Sequence, residues 1–396
     1  MSVWTSAVRA RAWLERPWSE RWQQLGRDVA MLGAGLRGER TWRPIVRAVA
    51  THGRKMRVVE VVRETSDAVS IVLAPVARAV APPTWRAGEF LTLGVRIDGR
   101  LERRAYSICL PPAPGALPAI TVKRVAGGLV SSWLVANAEP GLAVEVGGPS
   151  GRFVLEPQPA AARHHLLIAG GSGITPLRAI LETVLRDEPA SRATLVYGNR
   201  GAADVIFAAH LDALAEAHPE RLASVKVLSE PPSDWTGPVG VLDAAALERL
   251  LAADAPSTEY WLCGPEPMMD AARAVLAARG VEAARVRAER FLSLGQTQVG
   301  RALPTTAQPV TFRQGTEVRE VLAAPGRTLL EVGLAAGLPM PHSCMLGGCG
   351  ACRVHLRHGE VAHDAPNCLG ADEAAAGYAL ACVARPLGKV DVEVPR

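Results

Sequence analysis

The 396-residue sequence predicts a multidomain chain: an antiparallel β-barrel, then an α/β domain on a parallel sheet, then a small α+β unit. Three observations carry that prediction. Short β-branched runs broken by Pro- and Gly-rich stretches follow residue 53, the pattern of a small barrel. Apolar strand-like segments then alternate with Ala-rich helical patterns, which argues for a parallel sheet with helices on both faces. Finally, five of the seven cysteines, Cys344, Cys349, Cys352, Cys368 and Cys382, crowd together near the end of the chain.

Residues 1–52 form a basic, Trp-rich extension with helical character. Trp18, Trp22, Leu25, Val29 and Leu32 make a helix stripe, with Pro17 suited to its first turn and Gly33 to its end. Residues 1–57 hold 12 basic and 4 acidic side chains, so the net charge of +5 belongs to this arm and the remainder is slightly acidic. The barrel is expected over 53–157, with strands at Met56–Val62, Val69–Leu73, Phe90–Val95, Ile120–Val125 and Leu142–Val146. The α/β domain spans 158–293, with strands at Leu166–Ala169, Thr194–Tyr197, Ser224–Leu228 and Tyr260–Leu262. A polar linker covers 294–309, and the last unit 310–396, with a short helix near Leu329–Ala336.

Composition closes several alternatives. At 48% hydrophobic and 21% charged residues, wholesale disorder is excluded. No apolar run reaches the roughly 18 residues of a membrane span. Arg9, Arg11 and Arg16 interrupt any signal-peptide core, so a cytoplasmic protein is expected. Seven cysteines in so long a chain do not make a disulfide framework. No recognised nucleic-acid module accompanies the charge, so nucleic acid is not an expected partner.

Cys344-x4-Cys349-x2-Cys352, followed at a distance by Cys382, matches the spacing of four thiolates around a [2Fe–2S] cluster. Gly347, Gly348 and Gly350 let a tight loop wrap the cluster and aim N–H groups at its sulfurs. A structural zinc site is the alternative, but zinc modules bring two close pairs. Cys368 is expected to be a buried bystander.

Arg104-Ala-Tyr106-Ser107, closing a barrel strand, offers a cation for a pyrophosphate, an aromatic face for a ring system and a hydroxyl beside it. Further on, Gly127-Gly128-Leu-Val130-Ser131 opens a helix whose free N–H groups suit a phosphate. The third motif, Gly170-Gly171-Ser-Gly173-Ile-Thr175-Pro176, is a strand, a Gly-rich turn and a helix start. Cys263-Gly264-Pro265 follows a later strand of the same sheet. Between them, Tyr197-Gly-Asn199-Arg200 ends a strand without an acidic residue, so Arg200 could meet an NADPH 2′-phosphate; Glu230, after Ser229, would oppose it. Glu289-Arg290-Phe291 reads either as a site element or as a plain helix-to-linker junction.

The tail, from Val310 through Pro341-His-Ser-Cys344 to Tyr378-Ala-Leu-Ala-Cys382, resembles a plant-type ferredoxin domain. Together with the two upstream units, residues 53–396 resemble the ferredoxin–NADP reductase superfamily. The members to which the chain is similar carry a C-terminal ferredoxin, as in phenylacetyl-CoA epoxidase, 3-ketosteroid hydroxylase and fatty-acid desaturase reductases. The resemblance implies a flavin-binding barrel, a nicotinamide domain and a β-grasp ferredoxin domain. It implies FAD (FMN being the lesser alternative), NAD(P)H and a [2Fe–2S] cluster held by Cys344, Cys349, Cys352 and Cys382. It places Arg104 and Ser131 on the pyrophosphate, Tyr106 against the isoalloxazine and Ser107 near N5, with Val122, Lys123, Gly128 and Val130 alongside. Gly170, Gly171, Gly173, Thr175, Pro176, Asn199, Arg200, Cys263, Gly264 and Pro265 would bind the nicotinamide nucleotide. Ser107, Tyr106, Cys263 and Glu289 would sit at the reacting centre.

Such a protein passes electrons to a terminal oxygenase, hydroxylase or desaturase, some of them membrane-bound. A redox-sensing module with little turnover is the other class of function. The extension could lie on a membrane surface, dock a membrane-bound partner, or pack as a structural arm. A membrane role would make the protein peripheral to the inner membrane.

Overall fold

The computed structural model describes residues 54–395 apart from Arg78, residues 252–256 and 292–297, Gly300, Cys344, Leu346, Cys349 and Pro366. The extension of residues 1–52 and the two cysteines just named lie outside the described residues.

The first unit comprises β1 (Arg54–Thr65), β2 (Ala68–Pro75), β3 (Phe90–Ile97), β4 (Arg100–Ser107), β5 (Ala119–Lys123), α1 (Leu129–Asn137) and β6 (Ala143–Ser150). Its strands form one antiparallel sheet in the order β4-β3-β6-β1-β2-β5. The sheet curls so that its two edges meet: Ile108, just past β4, bridges Ile120 in β5. Alternation along the strands sends Met56, Val58, Ile71, Leu73, Leu91, Leu93, Ile120 and Val122 into a common interior, capped by Leu134 of α1.

The second unit contains β7 (His164–Gly170), α2 (Ile174–Asp187), β8 (Arg192–Asn199), α3 (Ala208–Ala217) and β9 (Leu222–Leu228). It continues with α4 (Ala244–Leu250), β10 (Thr258–Cys263), α5 (Glu266–Ala278) and β11 (Val286–Glu289). These build a parallel sheet in the order β11-β10-β7-β8-β9. β7 is central and buried at every residue, as a strand covered on both faces must be. One face packs on α2 and α3 and the other on α4 and α5. The core under α2 also takes in Ala87, Cys109, Phe153 and Leu155 from the first unit, with Phe153 edge-on to Trp261 at 5.4 Å. The two units thus share apolar packing. β11 corrects the junction reading of Glu289: the residue ends a short edge strand parallel to β10, with Cys263 and Glu289 as register partners.

The third unit has β12 (Gln298–Val299), β13 (Gln308–Gln314), β14 (Glu317–Ala323), α6 (Leu329–Ala335), β15 (Arg353–His358), β16 (Val361–Ala365), α7 (Ala371–Ala375), β17 (Tyr378–Leu380), β18 (Ala384–Pro386) and β19 (Val390–Glu393). A mixed sheet runs β14-β13-β19-β15-β17, with β13 and β19 parallel. Thr328 and Glu331 cap α6 reciprocally, fixing where that helix begins. A separate core around Phe312, Leu329, Leu330, Val354 and Val392 fills this unit. Among the described residues no helix is long and apolar enough to cross a membrane.

Candidate active site and cluster loop

The parallel sheet reverses direction at β7. The chain leaves β7 toward β8 on one side and returns through β10 on the other, so the crevice beyond the carboxyl ends of β7 and β10 is the switch point where such sheets bind ligands. Both glycine motifs lie there. A Cβ on Gly173 would fall 1.9 Å from the Cys263 carbonyl oxygen, and one on Gly170 2.5 Å from Pro265 Cδ. A Cβ on Gly264 would reach to within 2.8 Å of the Gly170 nitrogen. The two turns therefore interlock backbone against backbone, and only glycine admits that approach. Gly171 takes a left-handed φ of 51°, and its carbonyl accepts a hydrogen bond from the buried Tyr197 hydroxyl at 2.9 Å. Thr175 donates to the Ser172 carbonyl at 3.0 Å and tightens the entry to α2, where Pro176 sits in the first turn.

Facing this crevice is a cavity of about 560 Å³. Arg104, Ala105, Tyr106 and Ser107 of β4 line it, with Thr121 and Lys123 of β5 and the Val125–Ser131 entry to α1; Ser172, Thr175 and Phe291 come from the second unit. Val122 points instead into the core of the first unit. The α1 N-terminus carries no side-chain cap and no acidic residue in its first turn, which leaves its N–H groups for an anion. Gly128 has no room for a Cβ, which would meet Ser131 Oγ at 2.6 Å. Ser131 Oγ accepts from the Val125 N–H at 3.1 Å. Lys123 lies 3.7 Å from Asp67, and Arg104 lies 3.6 Å from Glu102. Arg103, next to it, pairs with Glu145 at 3.2 Å. Two cations, an aromatic face and free helix N–H groups around one cavity fit a dinucleotide flavin.

Where cavity and crevice meet, Ser107 donates a hydrogen bond to the Glu289 carboxylate at 3.1 Å. The Glu289 residue is half-buried overall, but its carboxyl lies deep. Desolvation raises that carboxyl to about 8, against the opposing Ser107 hydrogen bond. Cys263 is fully buried, and burial, reinforced by Glu289, pushes its thiol well above the usual range. Burial likewise raises the Tyr106 hydroxyl. At neutral pH the site thus presents a protonated acid, a neutral thiol and a hydroxyl.

Arg200 is engaged in a two-point pair with Asp204, at 2.9 and 3.0 Å. The Glu230 N–H donates to the Arg200 carbonyl at 2.7 Å, so a second acidic residue stands beside it. The Asn199 side-chain amide is buried without a hydrogen-bond partner. Sequence reading missed Asp204, although its i+4 spacing from Arg200 was visible, and it missed Ser172 within the Gly-rich turn.

In the third unit, Cys352 and Cys382 are buried with their sulfurs 3.1 Å apart, and the Gly347 N–H donates to Cys382 Sγ at 3.1 Å. Met345, Gly347 and Gly350 all take left-handed φ values, 60°, 75° and 67°, which wraps the loop tightly. Two adjacent thiols and an N–H aimed at sulfur suit thiolate ligation of iron. Cys344 and Cys349 lie outside the described residues. Cys368 is half-buried rather than buried, and its N–H donates to the Gly347 carbonyl at 2.8 Å, tying it to the loop.

Three family models match in the same order: an oxidoreductase FAD-binding domain over residues 62–155, an oxidoreductase NAD-binding domain over 167–274, and a 2Fe-2S iron-sulfur cluster binding domain over 312–387. One component of the 1,2-phenylacetyl-CoA epoxidase of Escherichia coli (strain K12) is 36% identical over 338 residues, 84% of this chain and 94% of that protein. The chain belongs to this family of flavin and iron–sulfur reductases. The ferredoxin reductase component of 3-ketosteroid-9-alpha-monooxygenase from Rhodococcus rhodochrous is 35% identical, covering 85% of this chain and 96% of that one. Phthalate dioxygenase reductase shares the fold, with a TM-score of 0.56 at 24% identity over 86% of this chain and 97% of the other. The protein is an NAD(P)H-dependent oxidoreductase that uses FAD and a [2Fe–2S] cluster. A redox sensor is not favoured by these relatives.

Proposed function

We propose that the cavity holds FAD, with Tyr106 against its ring system and Arg104, Ser131 and the α1 N-terminus at its pyrophosphate. The nicotinamide would enter between the Gly170–Gly173 and Cys263–Pro265 turns. Bound there, the flavin supplies the conversion of a two-electron hydride donor into single electrons for the cluster. This chain's residues supply the rest. Ser107 and the protonated Glu289 hold a proton at the junction of cavity and crevice, while Cys263 and the interlocked glycines shape a water-poor contact. Cys344, Cys349, Cys352 and Cys382 would ligate the cluster. The observation that carries the reading is the Ser107–Glu289 hydrogen bond, which joins the flavin strand to the nucleotide sheet at β11, beside Cys263.

We further propose that the partner is an oxygenase of the kind served by the epoxidase and ketosteroid relatives. Desaturases and membrane contact through residues 1–52 rest on the sequence reading alone. Two substitutions test the assignment. Ser107→Ala should slow flavin reduction in stopped flow by about 10²-fold, the scale of one positioned polar group. Cys349→Ser should abolish cytochrome c reduction while ferricyanide reduction survives. An unchanged flavin rate in the first, or loss of both activities in the second, would overturn it.

A further inference from the structure

β3 turns Leu91, Leu93, Val95 and Ile97 into the core of the first unit, so alternation sends Thr92 to the outer face of the sheet. An outward threonine is ordinarily wet, yet Thr92 is only 3% exposed. Its hydroxyl lies 2.5 Å from that of Ser343, the residue directly before Cys344. Thr92 is the register partner of Ala105 in β4, one of the residues of that strand that line the cavity. On its other side it pairs with Gly147 of β6, where a Cβ would meet nothing but Thr92 within 4 Å. A second link runs alongside. Glu373 binds Arg353, the neighbour of Cys352, at 2.8 Å, and Arg152, just past β6, approaches Glu373 to 3.9 Å.

We propose that the outer face of β3 and β6 is a seat for the third unit at Ser343, the residue that leads into the cysteine loop. The Thr92–Ser343 hydrogen bond anchors the loop, and the Arg152–Glu373–Arg353 chain orients it. The seat lies one strand from β4, which carries Tyr106, so it sets how the third unit stands relative to the flavin cavity. Exposure of Arg152 means that salt screens the ionic link, whereas the uncharged hydroxyl pair, buried on its Thr92 side, persists. The inference rests on the assignment of the flavin to the β4 cavity.

The test uses full-length, cofactor-loaded Thr92→Val and, separately, Ser343→Ala, since neither residue belongs to the proposed cofactor sites. Both should lower cytochrome c reduction about tenfold, within the up to ~10²-fold that ångström-scale misplacement costs, with ferricyanide reduction unchanged. Amide exchange by mass spectrometry should also show residues 90–97 losing protection in both variants. Unchanged cytochrome c reduction with unchanged protection overturns the seat. Ferricyanide reduction falling in parallel overturns it as a feature separate from the flavin site. Failure of the Ser107→Ala test instead would move the flavin and leave the amide-exchange result standing.

Discussion

Glu289 carries a pH dependence whose sign can be worked out from its surroundings. Its carboxyl titrates near 8 in the folded chain against 4.5 in the open, because burial disfavours the charged form. Folding therefore takes up a proton between those values, and stability is lost as pH rises from about 4.5 to about 8. At 1.36 kcal/mol per unit the full span is worth at most about 5 kcal/mol, less whatever relaxation and water entry recover. Glu289→Gln keeps the shape and fixes the neutral form. Its stability relative to the parent should rise through that window and level off above it. Urea unfolding, followed by flavin fluorescence at matched FAD concentration, should show the two midpoints diverging by about 1 M between pH 5 and 8.5. A midpoint difference independent of pH, or one that favours the parent increasingly at high pH, would refute the buried, protonated carboxyl.

Two further outcomes are expected. Gly173→Ala would drive a methyl group to 1.9 Å from the Cys263 carbonyl, forcing the two turns apart. NAD(P)H-dependent flavin reduction should collapse in stopped flow, while the dithionite-reduced cluster keeps its electron paramagnetic resonance signal. Asp204→Asn would release Arg200 from its carboxylate, so kcat/KM for NADPH should rise relative to NADH by about tenfold, the scale of one charge-assisted contact. Equal ratios in steady-state assays would remove Arg200 from 2′-phosphate recognition.

The sequence spoke most clearly where one residue type is physically obligatory. The glycines at 170, 173 and 264 were legible because close backbone approach excludes every other side chain, and the cysteine spacing because a thiolate loop has few solutions. The buried strands β7 and β10 were legible as apolar runs. β11 was not, since Val286-Arg-Ala-Glu289 is a short, half-exposed edge with little pattern. Nor was the Asp204 pairing of Arg200, which depends on a rotamer choice. The Thr92–Ser343 contact spans 251 positions, beyond the reach of any local spacing rule.

The common apolar packing of the first two units, with Phe153 set against Trp261, couples their interiors. The flavin unit lends side chains to the nucleotide unit's core, so a change of volume on one side must be answered on the other. The iron–sulfur unit has an interior of its own, and among the described residues it meets the pair through the Thr92–Ser343 and Arg152–Glu373 contacts. A change of volume inside that unit is therefore absorbed within its own core, without repacking the flavin and nucleotide units.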